Sequence, residues 1–549
     1  MGGTDLDSTA VTSQASVSNG VEIGWSRWLT AVLVAGLVPR LIVPFLSQDR
    51  LLGVVADDAG YYLQLAGEAT RSGVPSMDGL HATNGFHPLW LVVVTPVARL
   101  VADPTMQLRI AALLGVACAA ITFVVLARLL VPRVGVAPAA VGLGLWWLSP
   151  EALYSSASGL EASLTGLLVV LLVCAAYRYR DRLDVPSAVL VGLCAAGVYL
   201  ARSDAALAVI GIGGWLVAAV WRRSRPHRMV WRDVGVAGSV AVAVCLPWWC
   251  WNIVMFGTVE QASAWSVPSV LWRRSAVTAS GSKVMFGLHS AWQFMTGQGP
   301  RWLGVPLWLI VLLLVASTWM LVRRTGTAEA RGVLALGLWL VAAGAVLSVL
   351  HAGVRLNPRP YYFEWVRLAW AILAAGTIRV ILGSRVWATP GSSIARMPQR
   401  VATTIGALVI AVAGCSLLVN AAEVPVYPWQ TSMVAAARWL RSDTDPADRV
   451  GSFNSGLLSL YSDRTVVNLD GVADNDAADA VGTSRLAAFV CDQHLAWLVD
   501  VAPQFYELYE PALGDRAAAW HLEEVRTFLG DRDVQRRNEV TLFRSSCTR

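Results

Sequence analysis

The sequence predicts a polytopic α-helical membrane protein of about eleven transmembrane helices, followed by a C-terminal extracytoplasmic α/β domain. Three observations carry this. The 549 residues are 56% hydrophobic and only 15% charged, where a soluble chain of this length holds about 25% charged residues. Apolar runs of roughly 20 residues recur along most of the chain. Beyond about residue 421 those runs stop, and short apolar stretches alternate with helical patterns.

The eleven spans fall near 26–46, 107–130, 135–150, 161–177, 187–201, 205–221, 234–251, 302–322, 332–351, 363–382 and 401–421. An odd number places the two termini on opposite sides, and arginine decides which. Arg128 and Arg133, the Arg178–Arg182 run, Arg222–Arg232, Arg323-Arg324 and Arg379–Arg400 occupy alternate loops. By the positive-inside rule those loops and the N-terminus are cytoplasmic, and the chain sits in the cytoplasmic (inner) membrane. The first polar loop (47–106), the loops near 155, 203 and 355, the 252–301 segment and the tail are then external. Residues 1–25, rich in Ser, Thr and Gly, read as a disordered cytoplasmic N-terminus. The first apolar stretch is too long for a cleavable signal and lacks a small-residue cleavage site.

A net charge of +6 with Lys283 as the sole lysine does not point to nucleic acid, because the arginines sit in short loops where they serve topology. No glycine-rich loop with a following Lys-Ser/Thr pair is present, so a soluble nucleotide is not the expected ligand. Segment 89–102, interrupted by Pro96, is short for a span and reads as an interfacial or re-entrant helix.

In the tail (422–549) three strands are expected: Arg449–Phe453, Thr465–Leu469 and Leu495–Val499. Helical patterns at 431–441 and 516–529 accompany them, and a largely parallel sheet follows. Of eight cysteines, six lie in or beside apolar spans as packing residues. Cys491 and Cys547 are external, where a disulfide and two buried thiols are both compatible with the sequence.

The chemistry concentrates in Val55–Trp90. It begins with Asp57-Asp58 and the aromatic pair Tyr61-Tyr62, and ends in Asn84-Gly85-Phe86-His87-Pro88. Three further external sites carry charge at the ends of spans, where it is costly unless paired or used. These are Glu161, Arg202 with Asp204, and the segment Arg355–Arg367. Together they bring carboxylates and guanidiniums to one interface. Sugar transfer from a polyprenyl phosphate needs that set: a carboxylate to take the acceptor hydroxyl proton, and arginines to stabilise the departing phosphate.

Each residue also has a structural reading. Asp57-Asp58 would suit the cap of a helix starting near Ala59, although one carboxylate suffices for a cap. Glu161 would be favourable at a helix N-terminus, and Arg202 and Asp204 are close enough to pair. Arg359, Tyr361 and Tyr362 would serve as interfacial anchors. Asn84 and His87 would shape turns, and Asp470 in Asn468-Leu469-Asp470-Gly471 reads as a strand-end turn residue rather than a catalytic one.

These residues resemble a known family. The Asp-Asp opening, the Thr83–Trp90 ending, the Gly159–Leu164 and Leu200–Ala205 segments and the tail segment Val466–Asn475 resemble the GT-C superfamily of polyprenyl-phosphate-sugar glycosyltransferases. Its relatives include protein O-mannosyltransferases, lipid A aminoarabinose transferases and actinobacterial arabinofuranosyl- and mannosyltransferases. The resemblance implies a GT-C-like membrane domain over 26–421 and inverting transfer to an envelope glycan, glycolipid or protein. It implies Asp57 as the catalytic base with Asp58 as its partner, and Arg202, Arg359 and Tyr361 on the donor phosphate. Tyr61, Asn84, His87, Glu161 and Asp204 would contact substrate, and Asp58 and Glu161 would be the ligands of any divalent cation (Mg, Mn or Ca). Mannosyltransferases of the group usually show Asp-Glu where this chain has Asp-Asp.

A flippase or a non-catalytic assembly subunit for lipid-linked saccharides is the alternative from other classes. Transporters keep charge and broken helices at the bilayer midplane, whereas the acidic residues here stand at span ends.

Overall fold

The computed structural model describes residues 27–221, 227–278, 282–299, 306–382, 408–419, 426–501, 504–529 and 539–548. The expected disordered N-terminus, and parts of the arginine-rich loops at 222–232 and 379–400, lie outside the described residues.

Among the described residues, seven helices are long and apolar enough to cross a membrane: Arg27–Phe45, Pro104–Val134, Ala162–Arg182, Ser203–Trp221, Arg228–Phe256, Ala328–Val354 and Pro360–Leu382. Four shorter apolar helices, Val136–Trp147, Val185–Ala201, Leu309–Leu321 and Leu408–Val419, occupy the remaining expected spans. Each of the eleven apolar runs therefore carries a helix. Gly135 ends Pro104–Val134 and opens Val136–Trp147, the Asp184 side chain caps Val185–Ala201, and Leu408–Val419 lies next to residues that are not described. The expected interfacial segment is the helix Pro88–Leu100, which contains Pro96 and exposes Val92 and Leu100.

The centre of the bundle packs on small residues. Gly142 meets the backbone of Ala371 and Gly337 that of Leu373, so Val136–Trp147 and Ala328–Val354 both close tightly on the most buried span, Pro360–Leu382. That span carries Glu364 and Arg367, which pair at 2.5 Å, and Arg367 also donates to Ser155 at 2.5 Å. Trp146 donates to Glu364 at 2.7 Å. Buried charge in this position is paired and hydrogen-bonded, as the bilayer requires.

The tail is a five-stranded sheet of order β2-β1-β3-β5-β4. β1 (Arg449–Ser452), β2 (Thr465–Asn468) and β3 (Trp497–Val501) are parallel. β5 (Val540–Cys547) runs antiparallel to β3 and to β4 (Trp520–Phe528). The three expected strands are present, and helix Gln430–Asp443 covers the expected 431–441 pattern. The helix expected over 516–529 is instead β4. Its Leu-Glu-Glu-Val-Arg run has helical propensity, but eight ladder pairs with β5 override it on an edge strand with one solvated face. Half of the sheet is therefore antiparallel rather than largely parallel. Cys491 and Cys547 form a disulfide across a separation of 56 residues.

The tail docks directly on the first loop. The helices Asp57–Ser72 and Ser455–Ser462 cross at glycines: a Cβ on Gly60 would lie 2.5 Å from the Gly456 carbonyl carbon. Only two Cβ-less positions allow that approach. Leu63, Leu65 and Ala66 of the loop helix share a buried cluster with Leu457, Leu458 and Met433 of the tail.

Candidate active site

A cavity of about 270 Å³ lies where the first loop, the adjoining span ends and the tail meet. Each of the four charged stretches singled out in the sequence lines it, through Asp57 and Asp58, Glu161, Arg202 with Asp204, and Arg355 to Tyr362. The tail adds Tyr427, Trp429, Asn454, Asp470, Val472 and Gln504.

The two adjacent aspartates open the helix Asp57–Ser72, whose N-cap is Ala56; neither side chain caps that helix. Consecutive helical positions diverge by about 100°, and the two carboxylates have different partners. Asp57 is buried and accepts the backbone N–H groups of Gly456 at 3.1 Å and Leu457 at 2.8 Å. Burial pushes its carboxyl up to about 7, with Asp58 and Asp500 adding to the rise and the two backbone bonds opposing it. Asp58 is half-buried and accepts the Tyr361 hydroxyl at 2.9 Å. Burial raises its carboxyl above the ordinary range, opposed by the Tyr361 bond and by Arg359.

The cations divide as sharply. Arg202 donates to Glu161 at 2.6 Å and to both oxygens of Asp204 at 2.9 and 2.7 Å. Its guanidinium lies 4.4 Å over the Tyr362 ring, and Asp204 is also 2.8 Å from His351. Sequence alone did not bring in His351; a histidine at a span end was the available signal. Arg355 and Arg359 line the same cavity and form no ion pair with any described residue. Arg359 has an exposed side chain yet protein around it on nearly all sides, the geometry of a group reaching into an open cavity.

Tyr61 lies in the cavity wall with its hydroxyl donating to the Phe453 carbonyl at 3.0 Å and accepting from Ser455 N–H at 3.2 Å. His87 also lines the cavity, 3.9 Å from Glu161, and burial lowers its pKa to about 4, so the ring is neutral. Gln261, unremarked in the sequence, ties this corner together. It accepts from Ser203 at 3.0 Å and donates to the Phe86 carbonyl. Asn84 is not brought to the cavity. Its buried amide donates to Asn252 at 2.7 Å and the Glu260 carbonyl at 3.1 Å, and accepts from Ala262 N–H at 3.0 Å and Asn475 at 3.1 Å.

Three groups able to hold a metal come together elsewhere: Asp78, His81 and Asp474. None lines the cavity. The short bond to Asp78 (2.6 Å) raises His81 to about 9, so the ring is protonated at neutral pH and a metal would have to displace that proton.

Comparison with solved structures matches almost the whole chain. ArnT from Cupriavidus metallidurans bound to undecaprenyl phosphate aligns over 94% of this chain and 97% of its own, with a TM-score of 0.53 at 14% identity. The same protein in the apo state gives 0.56 at 15% identity.

The chain has the GT-C fold.

The archaeal oligosaccharyltransferase AglB from Archaeoglobus fulgidus, solved with an inhibitory peptide and a dolichol-phosphate, shares this GT-C fold. It aligns over 95% of this chain and 76% of its own, with a TM-score of 0.51 at 15% identity. Residues 423–543 match a domain of unknown function, DUF8728. No curated protein sequence matches the chain. Among GT-C folds this one therefore joins a familiar membrane architecture to a tail that contributes six side chains to the cavity.

Proposed function

We propose that the chain is an inverting glycosyltransferase that moves a sugar from a polyprenyl-phosphate donor to an acceptor hydroxyl on the external face of the cytoplasmic membrane. Asp58, rather than Asp57, is the base. The acceptor oxygen attacks the anomeric carbon and its proton passes to Asp58. The bond from that carbon to the phosphate oxygen breaks, and the polyprenyl phosphate leaves with the electron pair. A carboxylate whose pKa is raised is a stronger base once ionised. Tyr361 holds it in place at 2.9 Å.

One observation carries the reading: a half-buried carboxylate, Asp58, shares a cavity with two arginines that form no ion pair with a described residue, Arg355 and Arg359. Those two guanidiniums are the donor-phosphate ligands in this scheme. Arg202 holds Glu161 and Asp204 in place instead of binding the donor directly. ArnT was solved with undecaprenyl phosphate and AglB with a dolichol-phosphate, and both ligands are of the donor class proposed here.

Asp58 and Glu161 do not make a good cation site, because Glu161 already binds the Arg202 guanidinium at 2.6 Å. Arg202 takes the place that a divalent cation would fill between Glu161 and Asp204, and transfer is expected to be insensitive to chelator. The arginine-rich loops at the opposite ends of the spans support an extracytoplasmic cavity and tail.

The test is transfer by purified protein in nanodiscs, offered a panel of polyprenyl-phosphate sugars with and without chelator. Turnover lost in Asp58→Asn while donor binding persists supports the assignment. Turnover unaffected by that substitution rules out Asp58 as the base, and tight donor binding with no turnover for any sugar favours the flippase or assembly-subunit reading.

A further inference from the structure

We infer that the tail forms the acceptor half of the cavity, and that Asp470 binds the hydroxyls of a neutral sugar there. This rests on the glycosyltransferase reading above.

The cavity has two chemically distinct walls. Span ends and the segment between them supply Arg202, Arg355 and Arg359. The tail wall supplies Asn454, Asp470 and Gln504 beside Tyr427 and Trp429, with no cationic side chain among its lining residues. Amides and a carboxyl pair with hydroxyls, which both donate and accept. An anionic acceptor would have to approach the Asp58 carboxylate, the base in this reading, and like charges there are unfavourable.

Asp470 is built to present its carboxyl. Its Oδ1 accepts the Val472 N–H at 2.8 Å, closing a turn in which Gly471 has φ of 72°. A Cβ on Gly471 would strike the backbone of Ala478, so the turn is pressed onto the helix Asn475–Gly482 and cannot shift freely. The side chain is partly exposed to the cavity and makes no ion pair with a described residue. Burial holds the carboxyl well above the ordinary range, with Asp58 and Asp500 adding to the rise and Val472 and Asn468 opposing it. A carboxyl held in a fixed turn and partly open to the cavity can pair with sugar hydroxyls, which both donate and accept.

The test uses full-length protein in nanodiscs loaded with undecaprenyl phosphate, read by saturation-transfer NMR. The probes are neutral pentose and hexose disaccharides, glucose 6-phosphate and a serine-containing peptide. A neutral disaccharide should bind, with affinity about tenfold weaker in Asp470→Ala and partly retained in Asp470→Asn. Undecaprenyl phosphate retention should be unchanged in both. Once a donor is known, the same variants should raise the acceptor KM and leave kcat within about threefold. Disaccharide binding indifferent to Asp470, no disaccharide binding at all, or an Asp470-dependent signal from the phosphosugar or peptide instead would each overturn the inference. Failure of the wild-type protein to retain undecaprenyl phosphate would instead remove the donor reading on which it stands.

Discussion

The carboxylate of Asp57 accepts the backbone N–H of Leu457 at 2.8 Å across 400 residues of sequence. With the second bond from Gly456 it caps the tail helix Ser455–Ser462, whose own N-cap residue, Asn454, makes no side-chain capping bond. A first-loop residue thus satisfies orphan donors of a helix in another part of the fold. The adjacent Asp58 lines the same cavity but accepts the Tyr361 hydroxyl instead of tail backbone.

Substituting the two aspartates separates their roles. Asp57→Asn keeps an acceptor oxygen for the backbone and should retain most activity, whereas Asp57→Ala should cost about 1–2 kcal/mol of stability. Asp58→Asn should lower kcat by at least about 100-fold with little change in thermal stability. Transfer kinetics and thermal shift on the same preparations check both.

The Asp57 carboxyl also sets a pH dependence. Its pKa is raised to about 7 in the folded chain from 3.8. The folded state therefore favours the protonated form. That contribution is full below about 4 and is lost as pH rises through 7, at no more than about 1.4 kcal/mol per pH unit. Relative to Asp57→Asn, the wild-type melting temperature should fall between pH 5 and pH 8. A constant offset would mean that Asp57 does not titrate in this window.

Arginine variants should split by partner. Arg359→Ala and Arg355→Ala should weaken undecaprenyl phosphate binding by about 10-fold each and leave folding intact. Arg202→Met should destabilise by roughly 3–5 kcal/mol, because it leaves Glu161 and Asp204 buried without their cation. Lipid-binding titrations and expression of folded protein distinguish the two patterns.

Asn84 should behave as a strut. Asn84→Ala removes four hydrogen bonds that join the first loop to Asn252, the 260–262 segment and Asn475. The expected result is earlier proteolysis of the junction between loop and tail, with a loss of about 1–3 kcal/mol. Unchanged protease resistance would show that the docking does not depend on this amide.

Reducing the tail disulfide should lower the melting temperature of the tail, since closing a 56-residue separation stabilises by about 2–4 kcal/mol. Cys491→Ser with Cys547→Ser, compared with the parent under reducing and non-reducing conditions, should reproduce the effect of reductant. The parent protein should respond to reductant and the double variant should not.

Much of this was legible in one dimension. Apolar runs of near-constant length located each span, because a bilayer demands that length and saturates backbone hydrogen bonds locally. Charges at span ends flagged Asp57, Asp58, Glu161, Arg202 and Arg359, since charge there needs a partner or a use. The segment 516–529 reads as helix in sequence, yet holds the strand Trp520–Phe528, because an edge strand with a solvated face lacks clean alternation. Its ladder with β5 is invisible to local propensity.

Residue order alone specifies a multi-span chain with a distinct tail and a charged rim at one end of the spans, because periodicity, length and charge are properties of neighbouring residues. The three-dimensional packing sets which aspartate is tied to the tail backbone, which cavity arginines form no ion pair with a described residue, that Asn84 is bonded away from the cavity, and that Asp470 of the tail lines the site. Those facts depend on which groups meet across more than a hundred residues. Adjacent aspartates identical in type acquire different partners only when helix Asp57–Ser72 is packed between the tail on one side and the cavity on the other.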